Sequence, residues 1–542
     1  MSKVFPLKGN QRLAVDPADT VWLSASAGTG KTQVLSARVL RLLLQPGVSP
    51  SQLLCLTFTK AGAAEMAVRV NEVLANWVRM PDMKLFEELR NIGAPDDPAS
   101  RDRARTLFAS VLDCPGGGLR IDTIHAFSQW LLAGFPEEAG LSPGTRPMED
   151  RDRILLLRDV LGTLLVEAEA RGDHAFMTAL STLAVRMKDS GEVEHFLLRC
   201  ASARSAWFGP GSWELGDLRP RIMRLLGLPE DAGEDSLVAL CSDDEFECDA
   251  LELCLSAYKQ WNGKKGMAGR EVIAAWLAAD PADRLESFAQ LFAVLFTQKD
   301  TIKDVPSLEK FEAHFGDAAE RVLEAMLRVR DMRGLLSAAD YIVPALTLGR
   351  AFAHAWDEAK KREGLIDFDD QIRQAAELLG RSDVADWIRY KLDRQFDHVL
   401  IDEAQDTNAA QWEIINALTG DFFSGEGQHG ERLRTLFVVG DYKQAIFRFQ
   451  GTSPENFEQA RQRVKGELDR YSANISALRS NLRDRRLQEL WLGTSFRTAW
   501  PVMEFVDKAI GAIGFESFGL SDPPDAHKGE TRPGQVVLWD VV

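Results

Sequence analysis

The sequence predicts an α/β fold: a parallel sheet flanked by helices and interrupted by a large all-helical insertion. Three observations predict it. Short apolar runs alternate with helical patterns through residues 20–130. Residues 131–364 carry apolar side chains at helical spacing, with no strand pattern and no fixed repeat. The alternation then returns from residue 365 onward. Strand–helix alternation implies parallel strands with helices packed on them, so one sheet domain is divided in sequence by the insertion.

The elements follow in order. "VWLSA" at Val21–Ala25 reads as a strand, and the helix after it runs through Leu44 and stops before Pro46. "LLCLTFT" is a second strand, followed by the helical "KAGAAEMAVRVNEVLANWV". "LRIDT" is a short third strand leading into "IHAFSQWLL". The insertion is typified by "DRILLLRDVLGTLLVEAEA". Beyond it, "FDHVLIDEAQD" and "LRTLFVVGDYKQ" are apolar runs ending in acidic residues. Runs without polar alternation suit strands buried on both faces. The glycine-rich "SGEGQHGE" between them reads as a loop, and "ETRPGQVVLWDVV" starts a further strand-like run.

Bulk composition narrows the class. A chain of 542 residues implies several domains, at roughly 100–200 residues each. Apolar residues at 45% and charged residues at 27% are ordinary for a folded protein. No apolar run approaches the ~18 residues of a membrane span, and "MSKVFPLKGN" lacks a secretory core, so the expectation is a cytoplasmic protein without membrane association. The net charge of −17 argues against a protein that coats nucleic acid, but leaves room for a local basic groove such as "RLRTLFVV" or "NLRDRRLQ". The six cysteines form no CxxC pair and meet no histidine at zinc spacing, which points to reduced, buried thiols.

The chemistry concentrates in two stretches. Ala25 to Thr32, "ASAGTGKT", fits the phosphate-loop pattern except that Ala25 replaces its first glycine. Gly28 and Gly30 let backbone N–H groups turn toward an anion, and the helix starting near Lys31 adds its positive end. Ala27, Gly28, Thr29, Gly30, Lys31 and Thr32 are thus the candidate cradle for a nucleotide's phosphates. Lys31 would reach the outer phosphates and Thr32 would ligate Mg²⁺. The second stretch, "VLIDEAQD", ends an apolar strand in two adjacent acids. Buried acids are costly unless paired or metal-bound. Asp402 is the candidate Mg²⁺ ligand and Glu403 the candidate to polarise an attacking water.

These residues, with their neighbours, resemble the UvrD/Rep-like superfamily 1 DNA helicases. The loop is similar to the family's motif I, "DEAQD" to motif II and "GDYKQAIFRFQG" to motif III. "LKGNQ" resembles the Q motif, "LTFTKAGAAEM" motif Ia, "TIHAF" motif Ib, "IDFDDQI" the segment before motif II, and "TSFRT" motif IV. Within the family, "TIHAFSQWLLAGFPEEAG" and "FRFQGTSPENF" resemble the AddA branch of double-strand-break repair helicase–nucleases.

The resemblance implies a RecA-like fold, an ATP-driven 3′→5′ translocase, and further site residues. Gln11 would contact the adenine, Gln444 would sense the terminal phosphate, and Arg497 would reach that phosphate from a second motor domain. Thr57, Thr123 and His125 would contact a DNA backbone, and Phe58 and Phe449 would stack on bases. An aromatic ending an apolar run, and a lone histidine, also suit structural roles. Phe449 stands where many relatives carry tryptophan, and Gln450 where they carry arginine. The implied partners are single-stranded and duplex-end DNA and an AddB-like nuclease subunit.

The implied organisation is a first motor domain in two halves, residues 1–130 and 365–460, around the insertion at 131–364. A second motor domain would start at 461. Motifs V and VI and a nuclease domain are not found before Val542. The expectation is therefore an N-terminal part of a longer enzyme, deficient in unwinding alone. A second reading remains open: a nucleotide-dependent module that clamps DNA or a partner without unwinding.

Overall fold

The structure is a computed structural model of the chain. It describes residues 4–26, 28–114, 118–209, 212–213, 216–380, 385–393, 395–423, 433–441, 444, 453–478, 486–518 and 526–539. The chain forms two compact units, Met1–Pro147 together with Gly364–Val542, and Met148–Glu363.

The first unit is built on a six-stranded sheet. Its strands are β1 (Val21–Ala25), β2 (Leu53–Thr57), β3 (Arg120–Thr123), β4 (His398–Ile401), β5 (Thr435–Gly440) and β6 (Gln488–Leu492). They lie in the order β3-β2-β4-β5-β1-β6, and every neighbouring pair is parallel. All strands therefore point their carboxyl ends to one edge, where open α/β sheets bind ligands.

The apolar runs are buried on both faces, as parallel strands require. Leu23, Cys55, Leu400, Phe437 and Val439 face one core with helices α1 (Lys31–Leu43) and α2 (Lys60–Arg79). Trp22, Leu54, Leu56, Val399, Ile401 and Val438 face the other. There they meet α3 (Ile124–Gly134), α4 (Phe368–Gly380), α5 (Ala409–Thr419) and α6 (Pro454–Leu478). Trp22 stacks on Trp412 of α5 at 5.9 Å and meets Phe457 of α6 at 4.9 Å. The boundary placed by sequence at residue 461 falls inside α6, whose Phe457, Ala460, Val464 and Leu468 belong to this core.

Local chemistry starts the helices. The Thr59 hydroxyl accepts from the Gly62 N–H at 3.0 Å and caps α2. Asn408 and Gln411 form a reciprocal capping box at α5. Arg38 pins α1 to the sheet, donating to the Asp19 carbonyl at 2.6 Å and to the Thr435 hydroxyl at 3.2 Å. Its burial pushes the guanidinium pKa down to about 9.

After the sheet, β7 (Thr494–Ala499), α7 (Trp500–Ile513) and β8 (Lys528–Glu530) form a β–α–β unit with parallel strands.

The second unit is helical. Among its described residues the only β-type pairing is an isolated bridge between Phe296 and Ile302. A 49-residue helix, Phe315–Glu363, packs against Asp150–Arg171, His174–Arg186, Ser190–Ser202 and Cys248–Gln260. The six cysteines are free thiols, and all but Cys248 are buried. No helix of the described residues is long and apolar enough to cross a membrane.

Candidate nucleotide site

The loop between β1 and α1 takes the shape its glycines allow. Gly28 has φ 77° and Gly30, which precedes the first turn of α1, has φ 90°. Both lie in the left-handed region that glycine reaches without strain. The Thr29 N–H and hydroxyl both donate to the Ser26 carbonyl, at 3.3 and 2.7 Å. Gln11 is buried, donates from Nε2 to the Thr29 carbonyl at 3.1 Å, and accepts the Lys8 N–H at 3.2 Å. Its amide thus braces the loop itself. Ala27 lies outside the described residues.

Gly28 also has no room for a side chain. A Cβ there would stand 2.5 Å from Arg497 Cβ and 3.2 Å from the Arg497 backbone nitrogen. Gly28→Ala is expected to destabilise the sheet unit by ~1–3 kcal/mol and to lose nucleotide affinity. Thermal melting and nucleotide titration of the variant check both.

The acids arrive from the neighbouring half of the sheet. The Asp402 N–H donates to the Leu56 carbonyl at 2.8 Å, which fixes the residue just past the end of β4. Glu403 has φ 51°, a costly conformation for a residue with a side chain, and its N–H donates to Asp402 Oδ1 at 3.0 Å. Its carboxylate meets Lys31 Nζ at 2.8 and 3.1 Å, across 372 positions of sequence. Removal from water, then the adjacent Glu403 charge, pushes the Asp402 carboxyl up to about 6, against the opposing pull of Lys31.

A polar chain continues from this pair. Gln405 Nε2 donates to Glu403 Oε2 at 2.8 Å, while Gln405 Oε1 accepts the Asp441 N–H at 2.9 Å. Gln444 Nε2 donates to Asp441 Oδ2 at 2.5 Å. Lys31, Glu403, Gln405, Asp441 and Gln444 are thus joined from α1 to the segment after β5. No role in this site was read from sequence for Gln405 or Asp441. The only trace of their roles there is their place inside the two acidic-ended runs.

A cavity of about 760 Å³ opens beside this chain, walled in part by Gly30, Lys31, Thr32, Glu403, Gln444 and Arg497. Cavities of roughly 300–1,000 Å³ hold small-molecule ligands. Arg497 belongs to β7, so it reaches the cavity from the β–α–β unit. The donor set fits a magnesium-bound nucleotide. Among the described residues no group of three His, Cys, Asp or Glu could hold a metal. Mg²⁺ is commonly held by one or two carboxylates together with substrate phosphates; Glu403 in the cavity wall, with Asp402 beside it in sequence, offers such carboxylates, and Thr32 adds a hydroxyl to the same wall.

Of the residues assigned to DNA, Thr57, Phe58, Thr123 and His125 lie at the carboxyl ends of β2 and β3. Thr57 and Thr123 are register partners at the ends of β2 and β3, and both are buried. The Thr123 hydroxyl accepts the Ala126 N–H at 3.1 Å and caps α3. Phe58 is half-buried. His125 packs edge-on against Phe368 at 5.6 Å, and its pKa is lowered by burial, with Lys60 adding to the effect. Phe368 itself is 56% exposed, an aromatic that sequence reasoning passed over. Phe449 and Gln450 lie outside the described residues.

Comparison with known proteins fits this geometry. The sequence profile of the UvrD/REP helicase N-terminal domain matches residues 7–465. The chain belongs to the UvrD/REP helicase family. Among similar proteins is an ATP-dependent helicase/nuclease subunit from Exiguobacterium sibiricum, 25% identical over 82% of this chain and 36% of the relative. The same-named protein of Geobacillus kaustophilus is 25% identical over 96% of this chain and 41% of the relative. That of Latilactobacillus sakei is 25% identical over 98% and 59%. The chain thus spans between about a third and three fifths of these relatives. The UvrD/REP match takes in the phosphate loop, the acidic pair and Gln444, but ends before Arg497.

Proposed function

We propose that this chain is the ATP-binding motor portion of a DNA helicase acting in double-strand-break repair. Its type would be that of the AddA-like helicase/nuclease proteins. The observation that carries the reading is the contact between Lys31 and Glu403, both of which wall one cavity.

Each residue has a role in this reading. The loop amides and Lys31 hold the phosphates, and Lys31 neutralises charge on the outer ones. Thr32 and Asp402 would hold Mg²⁺, whose chemistry is to neutralise charge spread between the terminal phosphates. Glu403 accepts the proton of the attacking water, and Gln405 keeps its carboxylate turned toward the cavity. Gln444 contacts the terminal phosphate and is steadied by Asp441. Arg497 stabilises charge that builds during transfer. Gln11 reads the adenine with whatever capacity its bonds to the loop leave.

The sheet unit serves as the first motor domain, its two halves divided by the helical insertion, and its second half runs through α6 to β6. A second motor domain would begin beyond β6, the last strand of the sheet. A single strand of DNA would run over the sheet edge past Thr57, Phe58, Thr123, His125 and Phe449. The 3′→5′ polarity and pairing with an AddB-like nuclease partner belong to the same reading. The relatives' name marks them as one component of a helicase/nuclease.

ATP hydrolysis measured with and without single-stranded DNA tests it. Stimulation by DNA is expected. Phe58→Ala should raise the DNA concentration for half-stimulation about fivefold to hundredfold, as loss of one stacked base implies. The unstimulated rate should stay unchanged. ATP binding without any DNA response would instead support a nucleotide-dependent binding module.

A further inference from the structure

The phosphate loop is held by a second set of contacts that no motif anticipates. Ser26 Oγ lies 2.8 Å from His527 Nε2, across 501 positions of sequence. The other ring nitrogen, Nδ1, makes a short hydrogen bond to Asp507 Oδ1, and the His527 backbone N–H donates to Asp507 Oδ2 at 2.7 Å. Both oxygens of Asp507 are therefore spent on His527. A carboxylate on Nδ1 keeps the proton there, which leaves the Nε2 lone pair to accept from the Ser26 hydroxyl. Ser26 and His527 are 6% and 4% exposed, so neither can exchange its partner for water without cost.

The contact is part of a larger docking. The Phe496 N–H donates to the Gly28 carbonyl at 2.8 Å. The Gly28 Cα packs so closely on Arg497 that no methyl would fit between them. Phe496 and Arg497 lie on β7, Asp507 on α7, and His527 directly precedes β8, so all three contacts come from one β–α–β unit. The Lys528 N–H closes that unit by donating to the Gly493 carbonyl at 2.7 Å.

We propose that His527, oriented by Asp507, is a positioning residue for the phosphate loop. It acts through Ser26, fixes the loop before nucleotide arrives, and ties the loop to the element that carries Arg497. A glycine-rich loop loses much conformational freedom when it closes on a phosphate. Holding Ser26 from the side, while Thr29 holds its carbonyl, removes part of that loss in advance, and such preorganisation appears as affinity. This inference rests on the nucleotide reading of the site, but the contact itself can be read without nucleotide.

Two measurements on the full chain test it, using Ser26→Ala, His527→Ala, the double variant and His527→Gln. In the first, Mg-ADP is titrated by calorimetry. Each alanine variant should weaken binding at least about fivefold, the cost of one buried hydrogen bond. The double variant should be no weaker than the worse single one, because both remove the same bond. His527→Gln, whose side-chain oxygen can still accept from Ser26, should stay within about threefold of the parent. Parent-like binding by His527→Ala, or losses that multiply in the double variant, would overturn the proposal.

In the second measurement, hydrogen exchange at the Thr29–Lys31 amides is followed without nucleotide. His527→Ala should exchange faster, and His527→Gln should restore protection. Unchanged exchange in His527→Ala would overturn the positioning role. A parent chain that binds no Mg-ADP would sink the nucleotide reading alone, and the exchange measurement would still decide whether His527 orders the loop.

Discussion

Replacing Lys31 with alanine is expected to cut ATP turnover by about 10²–10³-fold, the usual cost of removing one preorganised charge from a transferring group. The structure gives the reason. Lys31 opens the first turn of α1, its side chain is 11% exposed, and it points at the Glu403 carboxylate. It is thus a cation held at the mouth of a helix N-terminus, where phosphate oxygens are favoured. The substitution should also weaken nucleotide binding, because the loop amides alone carry no full charge. The rate of phosphate release and the affinity for a fluorescent ATP analogue check the two effects. Turnover within threefold of the parent would show that the loop is not the phosphate site.

Glu403→Gln is expected to separate binding from chemistry. The neutral amide cannot take a proton from water, so turnover should fall about 10²–10⁴-fold, the range for loss of a general base. Binding should move the other way. In the structure Lys31 Nζ contacts both Glu403 oxygens, and an arriving phosphate must compete with them. An ion pair with one partner 36% exposed is worth roughly 1 kcal/mol or less. ATP should therefore bind Glu403→Gln up to about fivefold more tightly than the parent. Slower turnover with weaker binding would mean that Glu403 supports the loop structurally rather than serving the reaction.

Much of the sheet unit was legible in the sequence because its signals are local. Residues 53–56 and 436–439 are apolar throughout, and only a strand covered on both faces needs that. The loop and the acidic pair were legible because few structures call for Gly, Lys and Thr after one strand and two acids after another. The strand order was not. That β5 stands between β1 and β4 depends on pairings such as Ser24 with Gly440, which no local pattern encodes.

The same limit hid the supporting contacts. Gln405 with Asp441, and Ser26 with His527, join ordinary residues 36 and 501 positions apart. Thr123 shows a second role hidden the same way. Its motif pointed to DNA, and the structure adds a cap on α3, where its hydroxyl accepts the Ala126 N–H and keeps its own proton to donate. Residue 461 lies in a helix that runs unbroken from Pro454 to Leu478, through Gly466, so local composition gives no boundary there.

The central claim is that the phosphate loop and the acids after β4 share one magnesium-bound nucleotide. Calorimetric titration of ATP with and without Mg²⁺, on the parent chain and on Asp402→Asn, tests it most directly. Mg²⁺ should tighten binding at least about tenfold in the parent, equivalent to ~1.4 kcal/mol, and should add little in the variant. A full magnesium enhancement in Asp402→Asn would contradict the account.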